Sequence, residues 1–160
     1  MIHHISISAS EPQRVAGVIT ELWQTVALPF PPLPGAFIVI AEDGHGSAIE
    51  VSPLGTELAP GEGDQEVQAR LNETASPFTA THAALSVPIS EAQIKEVAAR
   101  EGWRAETFDR GPAFRLVELW VENRLLIELL PPEMAQRYLD FMTPRNFAER
   151  FQLELPGAQN

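Results

Sequence analysis

Cysteine does not occur in the 160-residue chain. Its absence excludes disulfides, thiolate metal ligands and cysteine nucleophiles, and it suits a reducing compartment. Basic residues are scarce: 11 Lys and Arg stand against 22 Asp and Glu, a formal net charge of −11. Such a surface repels phosphate backbones and anionic lipid, which argues against nucleic-acid and membrane partners. No apolar run approaches the length of a membrane span, and no basic segment followed by an apolar one opens the chain. The expected location is therefore cytoplasmic. What remains is ordinary for a soluble globular protein: 44% apolar and 21% charged residues, enough chain for one domain or two small fused modules.

The chain repeats itself. It opens "HHISIS", a short strand bearing His4, then turn residues and a helix; "THAALSVPISEAQIKEVAAREGW" at Thr81–Trp103 has the same order, with His82 in the strand. "AFIVIAEDGHGSAIEVSP" and "FRLVELWVENRLLIELLP" each read strand, tight turn, strand, Pro, with Ile-Glu near the end of the second strand. Glu50 follows His4 by 46 positions (50 − 4), and Glu128 follows His82 by the same 46 (128 − 82). One gapless offset of 78 thus maps His4 onto His82, Glu50 onto Glu128 and Pro53 onto Pro131.

Two modules follow from this repeat. The first, residues 1–57, reads as a strand at Ile2–Ala9, a helix at Pro12–Val26, a Pro-rich strand slot at Leu28–Pro34 and a hairpin through Phe37–Ser52. The second, residues 79–132, reads as a strand at Thr79–Val87, a helix at Ser90–Glu101, and strands at Trp103–Phe108, Phe114–Val121 and Arg124–Leu130. Residues 58–78, rich in Gly, Glu and Asp, read as the linker, and residues 133–160 as a helical extension that Pro144 breaks in two. The expected class is α+β, two paired βαβββ modules.

Paired βαβββ modules with a His in the first strand and a Glu in the last resemble the vicinal oxygen chelate superfamily, which includes glyoxalases, bleomycin- and fosfomycin-resistance proteins and extradiol dioxygenases. The resemblance covers Ile2–Pro132 and is strongest in "THAALSV" and "LLIELLPP". It implies that the strands curl into a mixed-sheet cup with helices outside, built within one chain or shared by a homodimer. It implies one divalent metal held by His4, Glu50, His82 and Glu128, a set similar to that of glyoxalase I. It further implies isomerase- or lyase-type proton transfer on a small molecule with vicinal oxygens, through a metal-stabilised enediolate. Glu128 is then the first candidate for the base and Glu50 the second. Two alternatives stand beside it: a non-catalytic small-molecule or drug binder of the same superfamily, and an Fe(II) extradiol-type dioxygenase.

The chemistry of those residues is consistent with that reading. Two imidazoles and two carboxylates form a borderline-hard set suited to Zn, Ni, Co, Mn or Fe(II), and a six-coordinate ion would keep two positions for a chelating substrate. Strand parity puts His4, Ser6 and Ser8 on one face and Ile5 and Ile7 on the other; His82, Ala84 and Ser86 oppose Ala83, Leu85 and Val87. Each ligand-bearing face is small and polar, and each opposite face is apolar. Ser6, Trp120 and Glu118 are the candidate substrate contacts. A single His on a strand is ordinarily a satisfied polar residue, and the same holds for a single Glu near a strand end. The matched pairs at one offset are what set these four apart. His3, one position out of phase, and His45, in a Gly-flanked turn, lack that support. The departures from glyoxalase I are an absent "FY…LG" pattern after the first helix and no identifiable glutathione-binding residues.

Overall fold

The computed structural model describes residues 2–62 and 65–153. Residues 1, 63–64 and 154–160, which the expected first module, linker and C-terminal extension include, lie outside the described residues. The chain divides into two compact units, residues 1–81 with the turn 121–125, and residues 82–120 with 126–160. Among the described residues no helix is long and apolar enough to cross a membrane.

The first unit runs β1 (His4–Ala9), α1 (Pro12–Trp23), β2 (Val26–Pro29), β3 (Phe37–Ile40) and β4 (Ala48–Pro53), followed by the hairpin β5 (Thr56–Ala59) and β6 (Gln68–Leu71). Its four-stranded sheet has the order β1-β4-β3-β2, with β1 parallel to β4 and the other pairs antiparallel. The apolar strand face, with Ile7, Val39, Ile49 and Val51, meets Val15, Val18, Ile19 and Leu22 of α1, all buried. Each such side chain contributes about 1.5–3 kcal/mol relative to exposure.

Two details differ from the sequence expectation. The helix stops at Trp23, where Gln24 turns left-handed (φ 53°), so the next strand begins at Val26 rather than inside the Pro-rich run. It ends at Pro29, because Pro31, Pro32 and Pro34 have no N–H to give a neighbouring strand; β2 is accordingly the short edge of the sheet. The segment expected to link the modules also carries regular structure. In β5–β6, Glu57 faces Arg70 across the ladder, and its carboxylate accepts from Arg70 Nε (3.1 Å) and Asn72 Nδ2 (2.6 Å).

The second unit repeats the plan with β7 (Ala83–Ser86), α2 (Glu91–Glu101), β8 (Arg104–Asp109), β9 (Arg115–Val121) and β10 (Leu125–Leu130), in the order β7-β10-β9-β8. Here α2 lays Ile94, Val97 and Ala98 toward the sheet, whose core residues include Val117, Leu119, Ile127 and Leu129. Ser90 and Gln93 close a reciprocal capping box on α2, and left-handed Gly102 (φ 73°) ends it. The β9–β10 turn has positive φ at both Glu122 and Asn123, with Arg124 N–H donating to Val121 O, which is the twist-compatible hairpin turn.

After β10 come α3 (Pro132–Phe141) and α4 (Pro144–Phe151), divided at Pro144, where Thr143 caps the second helix through Asn146 N–H (3.2 Å). Phe114 stacks edge-on to Tyr138 (4.9 Å between centroids) and packs on Phe141 (5.5 Å), which fastens α3 to its own unit. Arg137 donates to Pro112 O (2.9 Å), and Glu133 accepts from Glu91 N–H at the start of α2 (3.2 Å).

The sheet registers carry the sequence repeat into space. Ser6 stands opposite Glu50 in the β1–β4 ladder, and Ala84 stands opposite Glu128 in the β7–β10 ladder. Partners are 44 residues apart in both (50 − 6 and 128 − 84), so the offset of 78 read in the sequence also relates the two ladders. A slip of one residue in either would have sent its Glu to the helix-covered face.

Candidate metal and substrate site

In the first unit, β1 and β4 lie side by side and present His4, Ser6 and Glu50 on the face away from α1. His4 Nε2 lies 3.9 Å from Glu50 Oε1, with the imidazole largely exposed and the carboxylate mostly covered. Ser6 Oγ donates to the other carboxylate oxygen, Oε2, at 2.7 Å. That bond holds the carboxylate in one orientation and leaves Oε1 turned toward the imidazole. The candidate substrate contact Ser6 is thus already engaged, as a support for Glu50. His3 leaves this face: its Nδ1 meets the carbonyl of His45 at 2.7 Å, so the two unsupported histidines brace the β3–β4 loop. In the same loop, the Ser47 side chain and the His45 N–H stabilise the Asp43 carboxylate and lower its pKa to about 2.

In the second unit the equivalent carboxylate has different company. Ala84 stands where Ser6 stands, and brings no hydroxyl. Glu128 Oε1 instead lies 3.3 Å from a guanidinium nitrogen of Arg110, which makes a shorter bond, 2.7 Å, to Glu118 Oε1. Trp120 Nε1 lies 3.4 Å from Glu118 Oε2, and Arg104 lies 3.8 Å from the same oxygen. Arg104 and Arg110 both sit over the ring of Phe108, at 5.6 and 5.8 Å from its centre. The bond to Glu118 and then that to Glu128 hold the Arg110 proton more firmly than usual, against the cost of partial desolvation. His82 is exposed and stands one residue ahead of β7 rather than within it.

The donor set fits a divalent cation in part. The first unit pairs an imidazole with an oriented carboxylate, the ligand types a borderline-hard ion takes. The second presents its carboxylate already charge-paired with an arginine. Among the described residues, no three His, Asp or Glu side chains gather as a ready metal cage.

No family model matches the sequence, and no curated protein sequence matches it. Solved structures do. One is the fosfomycin resistance protein FosX from Listeria monocytogenes, complexed with Mn(II) and sulfate ion: 12% identity, TM-score 0.54, covering 94% of this chain and 97% of that one. A putative glyoxalase family protein from Bacillus anthracis matches with 13% identity and TM-score 0.52, over 81% of this chain and 92% of that one. A lactoylglutathione lyase from Agrobacterium tumefaciens matches with 10% identity and TM-score 0.52, over 83% and 94%. The fold is that of the vicinal oxygen chelate superfamily.

Within this vicinal oxygen chelate fold, sequence reasoning reached Glu50, Glu118, Glu128 and Trp120 as residues of the sheet faces away from the helices. It gave no role to Arg110. Strand alternation places Arg104, Glu106 and Phe108 on one face of β8, and Arg110 follows at the same parity just past the strand end. That alternation was the available signal. The turn position of Arg110, beside Gly111 and Pro112, hid it.

Proposed function

We propose that the protein is a metal-dependent enzyme of the glyoxalase type, acting on a small molecule with vicinal oxygens by proton transfer next to a carbonyl. The observation that carries this reading is the shared register: both His/Glu pairs derive from one repeat, and both glutamates occupy the same ladder position on the face away from the helix. The residues proposed to hold one divalent ion are His4, Glu50, His82 and Glu128, contributed by one chain or exchanged between two copies. FosX, of the same fold, is described with Mn(II), and a variant of it with Mn(II) and a dihydroxypropylphosphonic acid, a small molecule with adjacent oxygens.

Held by those residues, the ion would supply Lewis acidity to the substrate. The protein's own part is distinct. Ser6 orients Glu50, and Glu128, the candidate base, takes the substrate proton at a carboxylate oxygen. Trp120 offers an aromatic wall on the same strand face as Glu118. The scarcity of free basic charge disfavours a polyanionic substrate, because Arg110 is already paired with two carboxylates.

The test is metal analysis of tag-free protein before and after reconstitution with Ni, Zn, Co and Mn. About one equivalent is expected, reduced in Glu128→Gln and in Glu50→Gln. The loaded protein should then exchange the proton α to the carbonyl of small hydroxycarbonyl compounds in D2O. Less than about half an equivalent of every ion after reconstitution would sink the reading. The Arg110–Glu128 pair favours a second reading, a small-molecule binder without metal, since a carboxylate with an internal counter-cation needs no ion for stability. Ligand-induced stabilisation that is unchanged by chelators would favour it.

A further inference from the structure

The two glutamates of the repeat occupy equivalent ladder positions but are neutralised differently, and this difference has a consequence for metal binding. Glu50 is held by a neutral hydroxyl, which orients a carboxylate without cancelling its charge. Glu128 is met by a full positive charge at 3.3 Å. A divalent ion approaching Glu128 therefore competes with a guanidinium already there, and like charges this close repel strongly.

Arg110 has somewhere else to stay. Its bond to Glu118 is the shorter of the two, and Glu118 also meets Trp120 Nε1 and Arg104. Phe108 supports the guanidinium from below. Loss of the longer contact to Glu128 would leave Arg110 paired and stacked. The arrangement has the form of a counter-cation that can release one carboxylate without being released itself.

We infer that Arg110 is an internal counter-cation of Glu128 which a divalent metal must displace, so that Arg110, anchored on Glu118, sets the metal affinity of this half of the site. This rests on the proposed metal-binding reading. It also assigns a role to Glu118, as a positioning residue for Arg110 rather than a contact to substrate.

The experiment is Mn(II) titration of the tag-free, chelator-stripped 160-residue chain by calorimetry, with free Mn(II) followed by electron paramagnetic resonance. Arg110→Met should bind Mn(II) about tenfold more tightly than the unmodified chain, from removal of one positive charge beside the carboxylate. Arg110→Lys keeps the charge and should stay within about threefold of the unmodified chain. Arg115→Met removes the same formal charge from the opposite face of β9 and should change affinity less than about twofold. In a Glu128→Gln background, Arg110→Met should give no tightening.

Equal Mn(II) affinity in the unmodified chain and Arg110→Met overturns the inference and leaves the metal reading standing. So does equal tightening by Arg115→Met, which would be a general field effect, or tightening that persists without Glu128. Failure of every variant to bind Mn(II), Zn, Ni or Co overturns the inference and the metal reading together. Mn(II) binding by Arg110→Met with none by the unmodified chain bears out the competition by Arg110 and overturns the metal reading of the unmodified chain.

Discussion

The two βαβββ units have the same strand order and the same ladder register, yet each stabilises its equivalent parts by different means. In the first unit the site carboxylate rests on a serine hydroxyl; in the second it rests on an arginine shared with Glu118. The helices differ in the same way. The second unit's α2 carries its own capping box, Ser90 with Gln93. The first unit's α1 has no side-chain cap from its N-cap residue Glu11, and the carboxylate of Glu122 accepts instead from the N–H groups of Ser10 (2.8 Å) and Glu11 (2.9 Å). Backbone topology is thus retained where core parity enforces it. Polar partners diverge, because any donor of suitable reach can satisfy a carboxylate or an orphan N–H.

The core is where the comparison should hold most strictly. Ile49 and Ile127 are related by the offset of 78 and are both buried. Ile49→Ala and Ile127→Ala should each cost about 2–5 kcal/mol, read as the shift in urea unfolding. A loss in only one of them would mean that the units share a register but not an equivalent core.

The caps should separate the units next. Glu122→Ala removes the hydrogen bonds that the Ser10 and Glu11 N–H groups donate just ahead of α1, and leaves Arg124, 2.6 Å away and mostly covered, without its carboxylate. A loss of about 2–3 kcal/mol is expected. Ser90→Ala in α2 should cost about 1 kcal/mol. Equal losses would remove the distinction between a remote cap and a local one.

An exchange of one atom tests the site itself. Ser6→Ala should cost about 0.5–1.5 kcal/mol and reduce Mn(II) affinity by freeing Glu50 to rotate. Ala84→Ser, the reciprocal change, places a hydroxyl opposite Glu128 and should raise Mn(II) affinity by giving that carboxylate a neutral partner in place of Arg110. Calorimetry on both variants decides it. The same direction of change in both would break the comparison.

The smallest effect is the share of the pH dependence that Glu91, at the start of α2, contributes. Hydrogen bonds from Lys95 and then Thr107 lower the pKa of Glu91 below its ordinary 4.5. A depressed carboxylate stabilises the folded chain fully above its unfolded pKa, and this is lost as pH falls through the folded value. Unfolding midpoints should therefore drop below about pH 4.5, and Glu91→Gln should flatten that drop by about 0.5 kcal/mol or less, as befits a partly exposed pair.

Several of these features are legible in the sequence. The gapless offset of 78 identified both modules, and alternation in "HHISIS" and "FRLVELWVEN" sorted each strand into an apolar and a polar face. Both follow from local periodicity, which the pleated strand converts directly into side-chain direction. The edge strand β2 was misplaced, because its start depended on where α1 unwound, and Gln24 gives little sign of a helix end.

The polar partners depended on the tertiary structure alone. Ser6 and Glu50 are 44 residues apart, Arg110 and Glu128 are 18 apart, and Ser10 and Glu122 are 112 apart. No periodicity links such positions; the paths of the intervening loops do. From its residues alone the chain determined two copies of one fold unit and the faces on which His4, Glu50 and Glu128 lie. Only the folded chain decided that a hydroxyl holds one glutamate and a guanidinium the other, since charge pairing is settled by what the turns bring within about 3 Å.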